Sequence, residues 1–361
     1  MTRHQYYYRP KGKRQGRKPS ETTIMIINEK TVRVNNEIVI THVKKIQTDP
    51  DTDYGYHKMT TALMIAGYHI NHKKVYRLMK EAQLLKDRHK RTGKTFAKYR
   101  TVMPDGPLEV LEMDIKQVWV TQQRRYAYIL TVIDTFTRHA LHWQMGLTMR
   151  NRQVRTVWEQ VIADHLQPAD MLNREIHIEV RSDNGPQFAA TQTRQFFADN
   201  HLNHVFTHPY TPQENGHVES FHAILSNALG KRPYWSLEEL ETRLTVFYEK
   251  YNNVRLHGSI ANLPPRLFWD LWENGKIERK VLKNRRIKFT LNFPYQQLSG
   301  NESLKGSPCL DIDGLDANQY SSEMEATGPG TLQQPSVKRS PSVVLADAKL
   351  QTTITTYQNQ N

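Results

Sequence analysis

Cysteine is almost missing from this chain: Cys309 is the only one in 361 residues. No disulfide can close within it, and no His/Cys zinc finger can be assembled. Nor is there an apolar run of the roughly 18 residues needed to cross a bilayer, and the basic N-terminus is not followed by the apolar segment of a secretory signal. A cytoplasmic protein with no membrane partner is expected. Acidic residues are scarce: 36 Asp and Glu stand against 50 Lys and Arg, giving a formal charge of +14 and a pI near 9.6. Such an excess concentrates polyanions by long-range attraction and binds phosphates by counterion release, so nucleic acid is the first partner to consider. The length allows two or three domains, one with a sizeable core.

Residues 1–35 form a basic N-terminal arm, with Arg3, Arg9, Lys11, Lys13, Arg14, Arg17 and Lys18 and no acid before Glu21. Its last part, residues 21–35, gives no clear element. From Asn36 to Asp49 the apolar positions Ile38, Val39, Val43 and Ile46 recur at helical spacing. A second helix is predicted from His57 to Ala66, stopped by Gly67. A third starts at the N-cap Asn71, placing Val75, Leu78 and Met79 inward and Lys73, Lys74, Arg77 and Lys80 outward. Three short helices with a basic last one predict an all-α helix-turn-helix domain over 36–85, its third helix lying in a major groove. Residues 86–103 read as a basic linker tracking the DNA backbone.

After Pro104-Asp105-Gly106-Pro107 the pattern changes to strands. Runs at Leu108–Thr121, Tyr126–Phe136 and Ala140–Met149 predict antiparallel neighbours. A helix over Gln153–His165, a strand over Ile176–Arg181, a helix over Thr193–Asn200, a strand over His204–Thr207 and helices from Val218 and Leu237 follow. Residues 274–361 read as a basic then low-complexity tail, too poor in large apolar residues to fold alone.

Three carboxylates stand out in this frame. Asp114 lies inside the strand-like LEMDIKQVWV, Asp183 in a Ser-Asp-Asn-Gly turn, and Glu219 in Val-Glu-Ser-Phe at a helix start. Breaking or joining a phosphodiester needs an activated oxygen, neutralised charge on the phosphoryl oxygens and a stabilised leaving group. Two Mg²⁺ ions held by a few carboxylates meet these needs, with Mn²⁺ able to substitute. Asp114, Asp183 and Glu219 are therefore the candidate catalytic and metal-binding residues. Asp134 ends a strand before a turn, Glu112 shares the Asp114 strand face, and Glu214 precedes the helix; none is preferred as a ligand. His201, His204 and His208 straddle a helix end and a strand, a poor arrangement for zinc. Asn184, Gln187, Asn215 and Lys116 are candidate DNA contacts, and Gly216 is expected to let the loop before Glu219 close on DNA.

Asp-Ile-Lys, Ser-Asp-Asn-Gly-Pro-Gln-Phe, Pro-Gln-Glu-Asn-Gly and Glu-Ser-Phe, in this order, resemble the motifs of the DDE-type insertion-sequence transposases with a retroviral-integrase-like core. The resemblance covers residues 50–272. It implies an α/β, ribonuclease-H-like mixed sheet flanked by helices over 104–273. It also implies cleavage at the ends of a mobile element followed by 3′-OH strand transfer into target DNA, in a bacterial cytoplasm at the nucleoid. Double-stranded DNA and a homo-oligomer on it are the implied partners. Tyr6-Tyr7-Tyr8-Arg9-Pro10 resembles the end of a further upstream helix-turn-helix, implying an upstream-frame protein partner. The rival readings are a catalytically silent repressor of the element and a structure-selective nuclease on the same core.

Overall fold

In a computed structural model the described residues are 6–7, 19–27, 30–52, 54–86, 103–173, 177–208, 212–282, 286–299, 301 and 304. Most of the expected N-terminal arm, the basic linker beyond residue 86, Cys309 and the low-complexity tail lie outside them.

The N-terminal unit is built on three helices, α1 (Asn36–Thr48), α2 (Tyr56–Ile65) and α3 (His72–Glu81). Asn35 caps α1 by accepting the Glu37 amide. Asn71 caps α3 by accepting the Lys74 amide at 2.9 Å, satisfying one of the donors a helix start leaves free. Gly67 follows α2 at φ +93°, and a Cβ there would stand 2.6 Å from the Ile26 carbonyl oxygen, so glycine is required.

The unit is not all-α as expected. Strands β1 (Thr22–Ile27), β2 (Lys30–Asn35) and β3 (Tyr68–His69) form an antiparallel sheet in the order β2-β1-β3. Residues 21–35 looked featureless because the buried Thr23 and Met25 alternate with the exposed but equally apolar Ile24 and Ile26, which hides the period-two pattern that Val32 and Val34 continue.

Among the described residues of the second unit, the strands β4 (Val110–Val120), β5 (Arg125–Asp134), β6 (Ala140–Gly146), β7 (Ile178–Ser182) and β8 (Leu202–Phe206) make a mixed sheet ordered β6-β5-β4-β7-β8. The pairs β6-β5 and β5-β4 are antiparallel, and β4-β7 and β7-β8 are parallel. Period-two alternation sends side chains to opposite faces. Leu111, Met113, Leu130 and Val132 pack on α4 (Asn151–Val161), whose Trp158 is fully buried, and on Phe197 of α6 (Thr191–Asp199); a short α5 (Pro186–Ala189) precedes it. Val120, Ala127, Ile129 and Ile133 pack on α7 (Gly216–Leu229) and α8 (Leu237–Asn253). A three-stranded antiparallel half extended by parallel strands, with helices on both faces, is the ribonuclease-H-like architecture.

The two units are fastened through α8 and the segment after it. Asp51, buried before α2, takes Arg243 in a two-bond contact of 2.8 and 3.1 Å, and Lys250 reaches Asp49 at 2.6 Å. Leu256, Ile260, Leu263, Leu267 and Phe268, the last two on α9 (Pro265–Glu273), join the core of the helical unit.

The expected tail from residue 274 is corrected at its start. β9 (Ile277–Val281) and β10 (Ile287–Leu291) pair as a hairpin followed by a short 3₁₀ turn over Tyr295–Leu298. Ile277, Phe289 and Leu298 are buried, which supplies the apolar surface the composition of the segment seemed to lack.

Candidate active site

Glu112, Asp114 and Lys116 share the face of β4 that looks toward α7, since Leu111 and Met113 face the other way. Asp114 is half-buried, and its Oδ2 lies 3.3 Å from Nδ1 of His222, one turn into α7. Asp183 sits immediately past the end of β7, the parallel neighbour of β4, where its Oδ1 accepts the Gly185 amide at 3.0 Å. Burial raises the Asp183 carboxyl above its ordinary value, the Gly185 bond opposes this, and the charge of Asp114 raises it further. The two aspartates therefore act on one another as like charges, the situation a cation relieves. Glu219 is exposed on the first turn of α7, whose buried residues Val218, Phe221 and Leu225 hold it on the sheet.

These residues fit divalent metal as a sparse oxygen set: two aspartates on adjacent strand positions and a glutamate on the facing helix. Among the described residues, however, no three acidic, histidine or cysteine groups are gathered closely enough to hold an ion by themselves.

The start of α7 is positioned by groups that sequence reasoning passed over. Glu112 is wholly buried, and its Oε2 accepts the amides of His217 at 2.9 Å and Val218 at 2.8 Å, while its Oε1 lies 2.7 Å from His217 Nδ1. It does for α7 what an N-cap side chain does for other helices, from a different strand. Burial pushes its carboxyl up to about 7, against the Val218 bond and the charges of Arg138 and Arg181. Arg181, buried on β7 and paired with Glu179, donates to the Glu214 carbonyl at 3.1 Å and so holds the turn before α7. Glu214 itself, buried in the short 3₁₀ turn before α7, accepts the His208 amide at 3.0 Å. The acidic cap on β4 had one signal in the sequence, its shared face with Asp114.

The other candidates divide. Asn184 is exposed and donates to the Thr207 carbonyl at 3.0 Å, and Gln187 is half-buried beside Gly185. Lys116 is half-buried on the Asp114 face. Asn215 is buried with its Nδ2 3.5 Å from the Met113 carbonyl, which suits a structural place better than a surface contact. Gly216 is simply the first residue of α7 and has no positive φ, so the expected glycine-dependent freedom is not used there. On α3, Lys73 and Lys80 are exposed, but Lys74 donates to Ser20 and to the Thr22 carbonyl, and Arg77 donates to the Ser20 carbonyl. Asp134 accepts the amides of Leu108, Phe136 and Thr137 and so ties two loops together. His204 bonds Ser182 and His208 bonds Glu214, on separate elements.

Fold and site define a ribonuclease-H-like core carrying acidic residues at the meeting of two parallel strands, behind a helix-turn-helix-like unit. The chain matches the Integrase core domain families over residues 104–212 and 200–265 and the HTH-like domain family over 34–92. These matches, with the insertion-element relatives below, support a DDE-type insertion-sequence transposase with an integrase-like core.

Among relatives, a 39.2 kDa protein of insertion element IS476 from Xanthomonas euvesicatoria is 25% identical over 217 residues, covering 60% of each chain. The InsK protein of insertion sequence element IS150 from Escherichia coli is 25% identical over 224 residues, 59% of this chain and 76% of its own. The chain thus spans less than two thirds of the Xanthomonas relative. Among solved structures, the HTLV-2 integrase catalytic core in complex with magnesium aligns at TM-score 0.32 with 15% identity, over 44% of this chain and 93% of that one. The catalytic domain of the Mos1 mariner transposase aligns at 0.33 with 13% identity, over 45% and 74%. No helix among the described residues is long and apolar enough to cross a membrane.

Proposed function

We propose that this protein is a DNA transposase, a polynucleotidyl transferase that cleaves at the ends of an insertion sequence and joins the freed 3′-OH to target DNA. The observation that carries the reading is the parallel pairing of β4 with β7, Glu112 opposite Arg181, which sets Asp114 on the central strand beside Asp183 just past the end of its neighbour. Asp114, Asp183 and Glu219 would hold divalent metal, Mg²⁺ or Mn²⁺, as two ions. When bound, these ions would supply charge neutralisation at phosphorus and a more acidic nucleophile.

The chain's own residues do the rest. In this reading β4 and the end of β7 would hold the two aspartates, and Glu112 and Arg181, which hold the start of α7 and the turn before it, would set Glu219 opposite them. Cleavage and joining are both in-line displacements at phosphorus, so one such site serves both. The α3 face with Lys73 and Lys80 would hold double-stranded DNA, with Lys74 and Arg77 joining if the Ser20 contacts open. Lys116, Asn184 and Gln187 are the remaining proposed contacts near the carboxylates, whereas the buried Asn215 is not retained as one. Pairing two ends requires a homo-oligomer, and an upstream-frame protein is a further proposed partner. The domain limits proposed from sequence, 1–35, 36–85, 86–103, 104–273 and 274–361, are retained except where the strands described above extend them.

The test is an assay on labelled DNA from the element's own boundaries, with Mg²⁺ and with Asp183→Asn as control. Nicking at the end and joining to a second duplex by the wild type, with binding alone by the variant, is the expected result. Binding without metal-dependent chemistry in the wild type would overturn the reading.

A further inference from the structure

A cavity of about 260 Å³ opens beside the start of α7, where the strand-connecting turn after β5, the hairpin β9–β10 and the residues before β4 meet. One wall is apolar, with Pro104 and Ile287; the other carries Arg138, His217, Ser259 and Arg286. No carboxylate lines it. Arg138 donates from Nε to Ser259 Oγ at 3.3 Å, whereas its Nη1 is shielded from solvent and has no hydrogen-bond partner. Burial of an unpaired guanidinium N–H is unfavourable unless something fills the site. Burial also lowers the Arg138 pKa, with the charges of Glu112, Tyr251 and Asp134 only partly opposing it.

We infer that this cavity is a subsite for one unpaired nucleotide of the DNA, its phosphate on the Arg138 and Arg286 side and its base or sugar against Pro104 and Ile287. The inference rests on the transposase reading and deepens it. A cationic wall alone would suit any phosphate, but the apolar wall lies inside a cavity, and in a duplex the base faces are stacked away. Only a strand end or a locally opened strand can offer both chemistries. The place is apt, because His217 lies two residues before Glu219 and is bonded to Glu112, two residues before Asp114. A nucleotide seated here would enter the groove next to the carboxylates.

The test measures binding, not chemistry. The full chain carrying Asp183→Asn is titrated without divalent ion against a duplex with a short single-stranded flap, the same duplex with an abasic flap, and a blunt duplex. The intact flap is expected to bind about tenfold more tightly than the abasic one, the size of one stacked base. Arg286→Gln, at an exposed position, should weaken both flaps toward the blunt duplex, and Ile287→Asp should erase the difference between intact and abasic flaps. Melting curves of each variant separate these effects from misfolding. Equal binding of intact and abasic flaps by the parent, or a preference that survives both substitutions, would overturn the subsite alone. Absence of any DNA binding would overturn the transposase reading with it.

Discussion

The Glu112 carboxylate on β4 accepts the Val218 amide at 2.8 Å, joining the strand of Asp114 to the helix of Glu219 through a buried bond between residues 106 positions apart. Removing it as Glu112→Ala strands two buried amides and leaves a void. A loss of about 2–3 kcal/mol in stability is expected by denaturant unfolding. Cleavage should fall by more than DNA binding does, because α7 carries Glu219. Glu112→Gln keeps one acceptor and should retain more of both. If Glu112→Ala cleaves as the wild type does, the bond has no part in positioning α7.

Arg243 and Asp51 form the main polar contact between the helical unit and the core. Asp51 is 3% exposed, so Arg243→Ala would leave a buried carboxylate without its guanidinium. The expected cost is about 3 kcal/mol, and Asp51→Asn should cost less, since it removes the charge together with the need for a partner. Thermal unfolding of the two variants checks the order, and the reverse order would contradict it.

Asn71→Ala removes the side-chain cap of α3. A destabilisation of about 1 kcal/mol is expected, with Asn71→Gly close behind the wild type only if backbone freedom replaces the side chain. DNA affinity should fall in parallel in both, because α3 presents Lys73 and Lys80. An unchanged affinity alongside the lower stability would place the DNA-binding surface elsewhere.

His139 is packed on Trp269, and burial, with His165 and Arg266 adding, pushes its imidazole down to about 3. The unfolded chain takes up a proton near pH 6.5 that the folded chain refuses until about 3. Its contribution to stability is therefore present above pH 6.5 and is lost as pH falls toward 3. Unfolding free energies of wild type and His139→Leu across this window should show a shallower acid slope in the variant, by up to ~1.4 kcal/mol per pH unit. Equal slopes would mean that His139 titrates normally.

Much of the architecture was legible in the sequence because it rests on local periodicity. β4 and β5 are continuous strand-forming runs bounded by turns, α1 and α3 carry their apolar stripes and Asn caps, and Gly67 ends α2 where its φ demands. The places of Asp114 within a strand, Asp183 just past a strand end and Glu219 at a helix start follow from the same local patterns. The features that escaped depend on partners far along the chain. β9 and β10 are charged on their outer faces, and only the distant core shows why Ile277 and Phe289 hold them down. Lys74 and Arg77 lie on the outward face of α3, yet they meet a segment more than fifty positions away. Glu112 gains its role from amides of a helix that begins over a hundred positions later.

The turn after β10 closes this circuit. Gln296 Nε2 donates to the Tyr68 carbonyl at 3.2 Å, Tyr295 reaches the Ala261 carbonyl at 2.6 Å, and Leu298 is buried in the core of the helical unit. The helix-turn-helix-like unit therefore borrows part of its interior from chain that follows the integrase-like core. Cut out as residues 20–86, it would be a shell missing one wall, and a truncation just past α9 would loosen this unit without removing a single residue of its own.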